Sequence, residues 1–316
     1  MYNTLRTTSE SEALPMPESR FKLNPEDYTD PACPFCTEQY EKEPPVRRIP
    51  EDRILARLDG FLDRGDTASA ERLLAYWLDE ALAGRDLKGE FLIRNERVGL
   101  FRKLGKRDDA LEEAEKTLAL VDRMGIGSSA GAATAYVNAA TAMKAFGLAV
   151  DGLPLFEKAR AILESARQAG EPLAIEQKRA DKFRLGSLYN NYALALSDCG
   201  RFSEAGDLFR LALAVMETLE GSEPERAVTW LNLADLLAAE KRHKNGSELP
   251  EFTEDEERTV SEYLETARDL LDSVPDADRG GNYAFVCEKC APVFDWYGWF
   301  LYAKDLRRRA EEIRKS

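Results

Sequence analysis

Histidine is almost missing from this sequence: His243 is the only one in 316 residues. It falls in a segment that reads as loop. That excludes an HExxH zinc site and a two-histidine facial triad, and it leaves a Ser-His-Asp hydrolase with a single candidate base. There is no GxxxxGK[ST] loop and no GxGxxG after a strand, so nothing cradles a nucleotide phosphate. The chain is therefore expected not to be an enzyme. Cysteines number five, an odd count that does not suit a disulfide scaffold. The opening residues are polar, so no export signal is read there, and a reducing cytoplasm is the expected location. The longest run without charge, from Met124 to Met143, is dominated by Gly, Ala, Ser and Thr, which excludes a membrane span.

Excess positive charge is absent too. Lys and Arg total 44 against 58 Asp and Glu, a formal net charge of −14. Such a surface repels phosphate backbones, so nucleic acid is not an expected partner. The short basic runs at 241–244 and 307–309 read as solvated helix ends or loops.

What the sequence does contain is a repeat. In residues 188–215, Tyr189, Tyr192, Ala193 and Leu196 fall on one helical face. Gly200 breaks the helix, and Ala205, Leu208, Phe209 and Ala212 make the face of a second. Small residues at 193 and 205 let two helix backbones approach, while the aromatics fill the space beside them. The eight positions Tyr189, Tyr192, Ala193, Leu196, Gly200, Ala205, Phe209 and Ala212 resemble the tetratricopeptide (TPR) signature in order. The same offsets select Tyr136, Ala139, Ala140, Met143, Gly152, Phe156 and Ala159 around Gly147. Around Gly65 they select Leu58, Phe61, Ala70, Leu74 and Trp77. Around Gly298 they select Cys287, Cys290, Ala291, Phe294, Ala303 and Ala310. A weaker copy surrounds Gly105, with Arg94 and Arg97 at apolar places, and a sixth, lacking the glycine, runs from Trp230 to Ala267.

Turn positions 65, 105, 147, 200, 241 and 298 lie 40, 42, 53, 41 and 57 residues apart. The base period resembles the long-helix TPR variety of kinesin light chains. The two excess spacings are read as insertions: 168–182 at the end of a second helix, and 241–257 as an open loop within a hairpin. The expected fold is all-α, a right-handed superhelical solenoid of about six TPR-like hairpins over residues 51–316. Residues 1–50, rich in Pro, Glu, Ser and Thr, are expected to form a disordered or extended arm.

The resemblance implies a scaffold whose first helices line a concave groove for a protein or an extended peptide. Three central repeats place Asn two residues after the first aromatic: Asn138, Asn191 and Asn232. An amide carries both a donor and an acceptor, so a row of them can follow a peptide main chain. The same amides can equally bond to the neighbouring repeat. Asn190, Asn95, Lys144 and Arg102 join the candidate groove. Arg94, Arg97, Arg102 and Lys103 make a basic stripe that either receives an acidic segment or pairs with nearby Glu. Bacterial peptide-pheromone sensors use similar arrays with an N-terminal DNA-binding helix-turn-helix, but residues 1–50 contain nothing of that kind.

The alternative is chemical. Cys33-Pro-Phe-Cys36 and Cys287-Glu-Lys-Cys290 supply four thiols in two CxxC pairs, the ligand set of a tetrahedral zinc site. CPFC is also similar to a glutaredoxin active site, though no strand–helix unit surrounds it. In this reading the repeats are a dock for a zinc or thiol activity. Cys287 and Cys290 occupy core positions of the last repeat, where a thiol packs as a small hydrophobe. Oligomeric state is left open.

Overall fold

A glycine that ends one helix and starts the turn into the next sets the architecture. The computed structural model of the protein describes residues 45–169 and 175–315. Among them are twelve α-helices: α1 (Glu51–Asp63), α2 (Thr67–Ala83), α3 (Leu87–Lys103), α4 (Arg107–Arg123), α5 (Ala130–Ala145) and α6 (Ala149–Ala169). They continue as α7 (Ile175–Asp198), α8 (Phe202–Met216), α9 (Glu223–Asn245), α10 (Glu254–Ser273), α11 (Gly281–Trp296) and α12 (Phe300–Lys315). Consecutive pairs form six hairpins of an all-α solenoid. Residues 1–44 of the expected arm lie outside the described residues.

Five of the six turns are built alike. Gly65, Gly105, Gly147, Gly200 and Gly298 have φ between 70° and 84°. In each, the N–H after the glycine donates to a carbonyl five residues back, as Arg201 does to Leu196 and Trp299 to Phe294, at 2.9 and 2.8 Å. This is the Schellman ending, which satisfies the last helix carbonyls and reverses the chain in a few residues. The fifth hairpin has no glycine at 241, and the structure departs from the sequence reading there. Good helix formers carry α9 on to Asn245, and Gly246 ends it with φ 62°. The insertion therefore lengthens a helix as well as opening a loop. Thr253 then starts α10 with a capping box: its hydroxyl accepts from the Glu256 N–H, and the Glu256 carboxylate accepts from the Thr253 N–H. The earlier insertion likewise adds turns to both α6 and the start of α7.

Small residues hold the hairpins closed. Ala193 and Ala205 in the fourth hairpin, and Ala291 and Ala303 in the sixth, are all without exposure. In the third hairpin Gly152 lies so close to Ala140 that an added Cβ would stand 3.1 Å from its carbonyl oxygen. Large residues close the gaps between hairpins; Phe156 stacks on Tyr192 with centroids 5.3 Å apart. The second hairpin is the exception. Arg94 bonds Glu90 and Glu113 at 2.9 and 2.8 Å, and Arg97 bonds Glu113 at 3.0 Å, so ions occupy places that are apolar elsewhere.

The odd-numbered helices pack in a row, α3 on α5, α5 on α7, α7 on α9 and α9 on α11, and α11 then touches α1. The row returns on itself, so the solenoid is a closed ring with first helices inside. Arg314 of α12 seals the join, donating to the carbonyls of Leu62 and Asp63 at 3.4 and 2.8 Å while its guanidinium pairs with Glu288. Lys103 lies 5.3 Å over the Phe285 ring across the same seam.

The compact unit begins before α1. Residues 46–49 run along the α2–α3 turn, where Arg47 N–H donates to the Gly84 carbonyl at 2.9 Å and buried Asp86 accepts from Ile49 N–H at 3.0 Å. A side chain at Gly84 would collide with the Arg47 carbonyl. The boundary read at residue 50 coincides with the start of α1, while the compact unit itself begins at Val46. The α2–α3 turn also copies the Schellman ending, with Asp86 N–H donating to Ala81, but Arg85 stands at the glycine position with φ 56°. Replacing Arg85 by glycine is expected to stabilise the protein by about 1 kcal/mol, with Arg85→Ala giving no such gain. Urea unfolding followed by circular dichroism checks this; equal midpoints for the two variants would show that the turn is unstrained.

Candidate functional site

The inner faces of the odd helices bring the candidate asparagines together, in a pattern the spacing did not foresee. Asn138 on α5 donates to the Asn95 carbonyl oxygen on α3 at 3.1 Å. Asn232 on α9 donates to Asn190 on α7 at 2.9 Å, and the Thr229 hydroxyl adds a bond to the same oxygen at 3.2 Å. Asn191 instead donates to the Ser187 carbonyl of its own helix at 2.8 Å. The amides are thus two pairs bridging neighbouring repeats, with Asn190 rather than Asn191 in the second. Each pair keeps an NH₂ group, on Asn95 or Asn190, and a carbonyl oxygen, on Asn138 or Asn232, with no partner among the described residues. A donor and an acceptor side by side are what one peptide unit offers in reverse.

Charged groups share this face. Lys144 on α5 reaches Asp198 on α7 at 3.5 Å. Arg102 ends α3 and Lys289 lies mid-way along α11; both reach solvent, and neither has an ion pair among the described residues. Enclosure by the ring lowers the pKa of each, and for Lys289 the charges of Arg102 and Lys144 add to the effect. Glu96 on α3 is pushed up, first by enclosure and then by Asp59 of α1. Of the basic stripe, Arg94 and Arg97 are taken by Glu90 and Glu113, while Arg102 and Lys103 stay accessible.

Between the ends of α7, α9 and α11 the face deepens into a cavity of about 360 Å³. Ser197, Asp198, Asn232, Asp235 and Arg242 supply its polar lining, and Leu194, Pro292 and Trp296 are among its apolar walls. Arg242 lies 5.7 Å over the Trp296 ring. Burial pushes the Asp235 carboxyl up to about 6, with the Tyr297 hydroxyl and Arg242 partly opposing. Sequence reasoning read Arg242 as part of a solvated basic run and did not single out Lys289. Phe285, Lys289, Pro292 and Trp296 do recur at helical spacing on a second face of α11. Their helical spacing was readable, but what stands opposite them was not.

The thiols are placed differently. Cys33 and Cys36 lie outside the described residues. Cys287 and Cys290 are buried in the core of the last two hairpins, and burial pushes them up to about 11 and about 12, so both are protonated at neutral pH. Among the described residues no three His, Cys, Asp or Glu side chains are grouped to hold a metal ion. No described helix is long and apolar enough to cross a membrane.

No protein-family model matches the sequence, and no curated protein matches it significantly. Among solved structures, BtubC (BKLC) from P. vanneervenii is similar with a TM-score of 0.52 and 20% identity, over 71% of this chain and 82% of that one. NprR in complex with its cognate peptide NprX has a TM-score of 0.46 and 16% identity, over 87% of this chain and 70% of that one. Kinesin light chain TPR-like repeats from Podosopora anserina give a TM-score of 0.42 and 18% identity, over 70% of this chain and 93% of that one. The hairpin geometry and the likeness to BtubC make the fold a TPR-like repeat solenoid.

Asp235 supplies a test of the cavity. An acid whose pKa is raised from 3.8 to about 6 holds its proton more tightly when folded, so it costs stability above pH 6 and the cost fades as pH falls toward 4. Asp235→Asn is therefore expected to raise the melting temperature at pH 7.5 by roughly 2–4 °C, the shift that about 1 kcal/mol produces in a domain of this size. The gain should shrink through pH 6 and be gone near pH 4; a gain independent of pH would mean that Asp235 is not the strained group.

Proposed function

We propose that this TPR-like solenoid is a binding scaffold, not an enzyme, and that it holds an extended segment of a protein or peptide along the inner face of its ring. The observation that carries the reading is the concentration there of polar groups that lack protein partners: the outer halves of two Asn pairs, together with Arg102, Lys289 and Glu96. Enclosed charges without partners cost stability, and they persist where a ligand compensates them. The formal net charge of −14 favours a polypeptide over a nucleic acid.

Neighbouring packed helices lie about 8–10 Å apart, so the α3–α5 and α7–α9 Asn pairs are roughly 16–20 Å apart. An extended chain covers that distance in about five or six residues. The segment would bond the first pair through one peptide unit and the second through another, with its side chains facing the charged and apolar walls. This chemistry needs no cofactor.

The test is selection of ten-residue peptides from a random display library, followed by calorimetry on the full chain. Removing both amides, Asn138→Ala with Asn232→Ala, is expected to weaken a selected peptide by about tenfold or more, because each lost bond leaves a desolvated peptide group unpaired. The melting temperature of the double variant is compared with that of the parent to separate binding from folding. A library that yields no binder, or binders indifferent to the double variant, would remove the inner face as the site.

A further inference from the structure

Ring closure brings α11, from the last hairpin, across the opening from α3 and α5. Two contacts fix its position. Near its start, Phe285 lies under the Lys103 ammonium at 5.3 Å. Near its end, Pro292 and Trp296 line the cavity that contains Asp198, the carboxylate held by Lys144 at 3.5 Å. Lys289 is one helical turn beyond Phe285 and just short of Pro292. It therefore sits between Arg102, the neighbour of Lys103, and Lys144.

We infer that Arg102, Lys144 and Lys289 form an anion site spanning the ring, which takes a carboxylate or phosphate on an acidic side chain of the bound segment and ties the last hairpin to the second and third. The inference rests on the inner face being the binding surface.

Three cations from three hairpins converge in a protein whose net charge is −14. The carboxylates beside them do not cancel the set. Glu288, next in sequence to Lys289, is held by Arg314, and Asp198 is shared with Lys144 alone. Arg102 and Lys289 have no acidic partner among the described residues. Enclosure together with Arg102 and Lys144 keeps the Lys289 ammonium below the ordinary lysine range, and a bound anion would relieve that repulsion. Hydrogen bonds between ions are about twice as strong as neutral ones, so one anionic group can anchor a segment whose main chain the Asn pairs hold less selectively. Because Lys289 belongs to the far end of the solenoid, the site exists only while the ring is closed. Binding the anion and keeping the ring closed are then thermodynamically linked.

Fluorescence anisotropy on the full chain tests this with labelled ten-residue Gly-Ser peptides carrying a central Glu-Glu, phosphoserine or Lys-Lys. The acidic peptides are expected to bind at least about tenfold more tightly than the basic one, and Lys289→Gln and Arg102→Gln each to remove about tenfold of that, with Lys289→Arg restoring it. Comparing the Glu and phosphoserine peptides tells a carboxylate site from a phosphate site. Inorganic phosphate alone should raise the melting temperature of the parent but not of Lys289→Gln, whatever the fate of the peptide reading. Acidic and basic peptides bound equally, with Asn138→Ala and Asn232→Ala still weakening both, would overturn the anion site and keep the groove. Phosphate stabilisation without any peptide binding would do the reverse. Phosphate stabilisation unchanged in Lys289→Gln would overturn the anion site outright.

Discussion

Two α-helices can touch along their length only where side chains are small, and five of the six hairpins of this solenoid depend on that contact. Position after position, the second helix opens with a small residue against the first: Ala70, Ala110, Gly152, Ala205 and Ala303, all buried. With the backbones that close, the apolar stripes on both helices face the same side. A lone hairpin cannot cover that side, so the next hairpin must. The continuous core from Val121 to Leu236 is the result, with aromatic pairs such as Phe156 and Tyr192 bridging from one hairpin to the next. The second hairpin keeps the geometry while replacing part of this contact by Arg94, Arg97, Glu90 and Glu113. A buried ion network of that kind holds register well but tolerates the loss of a member badly.

Stacking alone makes an open spiral, and a different kind of interaction turns this one into a ring. The join between the first two hairpins and the last one is polar: a guanidinium on two helix-end carbonyls of α1, its carboxylate partner, and one cation from α3 over an aromatic ring. Helix C-termini carry partial negative charge, so Arg314 at the end of α1 meets a favourable field. Such contacts are individually weak in water and sensitive to solvent. The ring is therefore strongest where hairpins stack and weakest at its seam.

The interior is also where the structure keeps its electrostatic cost. Asp235 and Glu96 are pushed up, Lys289 and Arg102 are pushed down, and each shift says that the charged form is disfavoured where it sits. Buried Cys287 and Cys290 tell the opposite story: they are neutral, packed and inert, as a thiol in a core should be.

How much of this could be read in advance divides along the distance between interacting residues. Helix positions, five of the six turn glycines and the Ala and aromatic places all rest on contacts within a hairpin, and residues 51–316 declared them openly. Candidate inner-face residues could be proposed from the repeat offsets too, which is why Asn95, Asn138, Asn190, Asn191, Asn232, Lys144 and Arg102 were placed on one surface. The choice of Asn190 over Asn191 was not legible, because the two differ by one step of helix rotation and only the neighbouring helix decides between them. Nor was the end of α9, where the loop was expected five residues before Gly246. Ring closure, and with it the meeting of Lys289 with Arg102 and Lys144, lay beyond local reasoning. Each hairpin turns by a small angle relative to the last, the angles accumulate over six of them, and only their sum determines which distant side chains come to face one another.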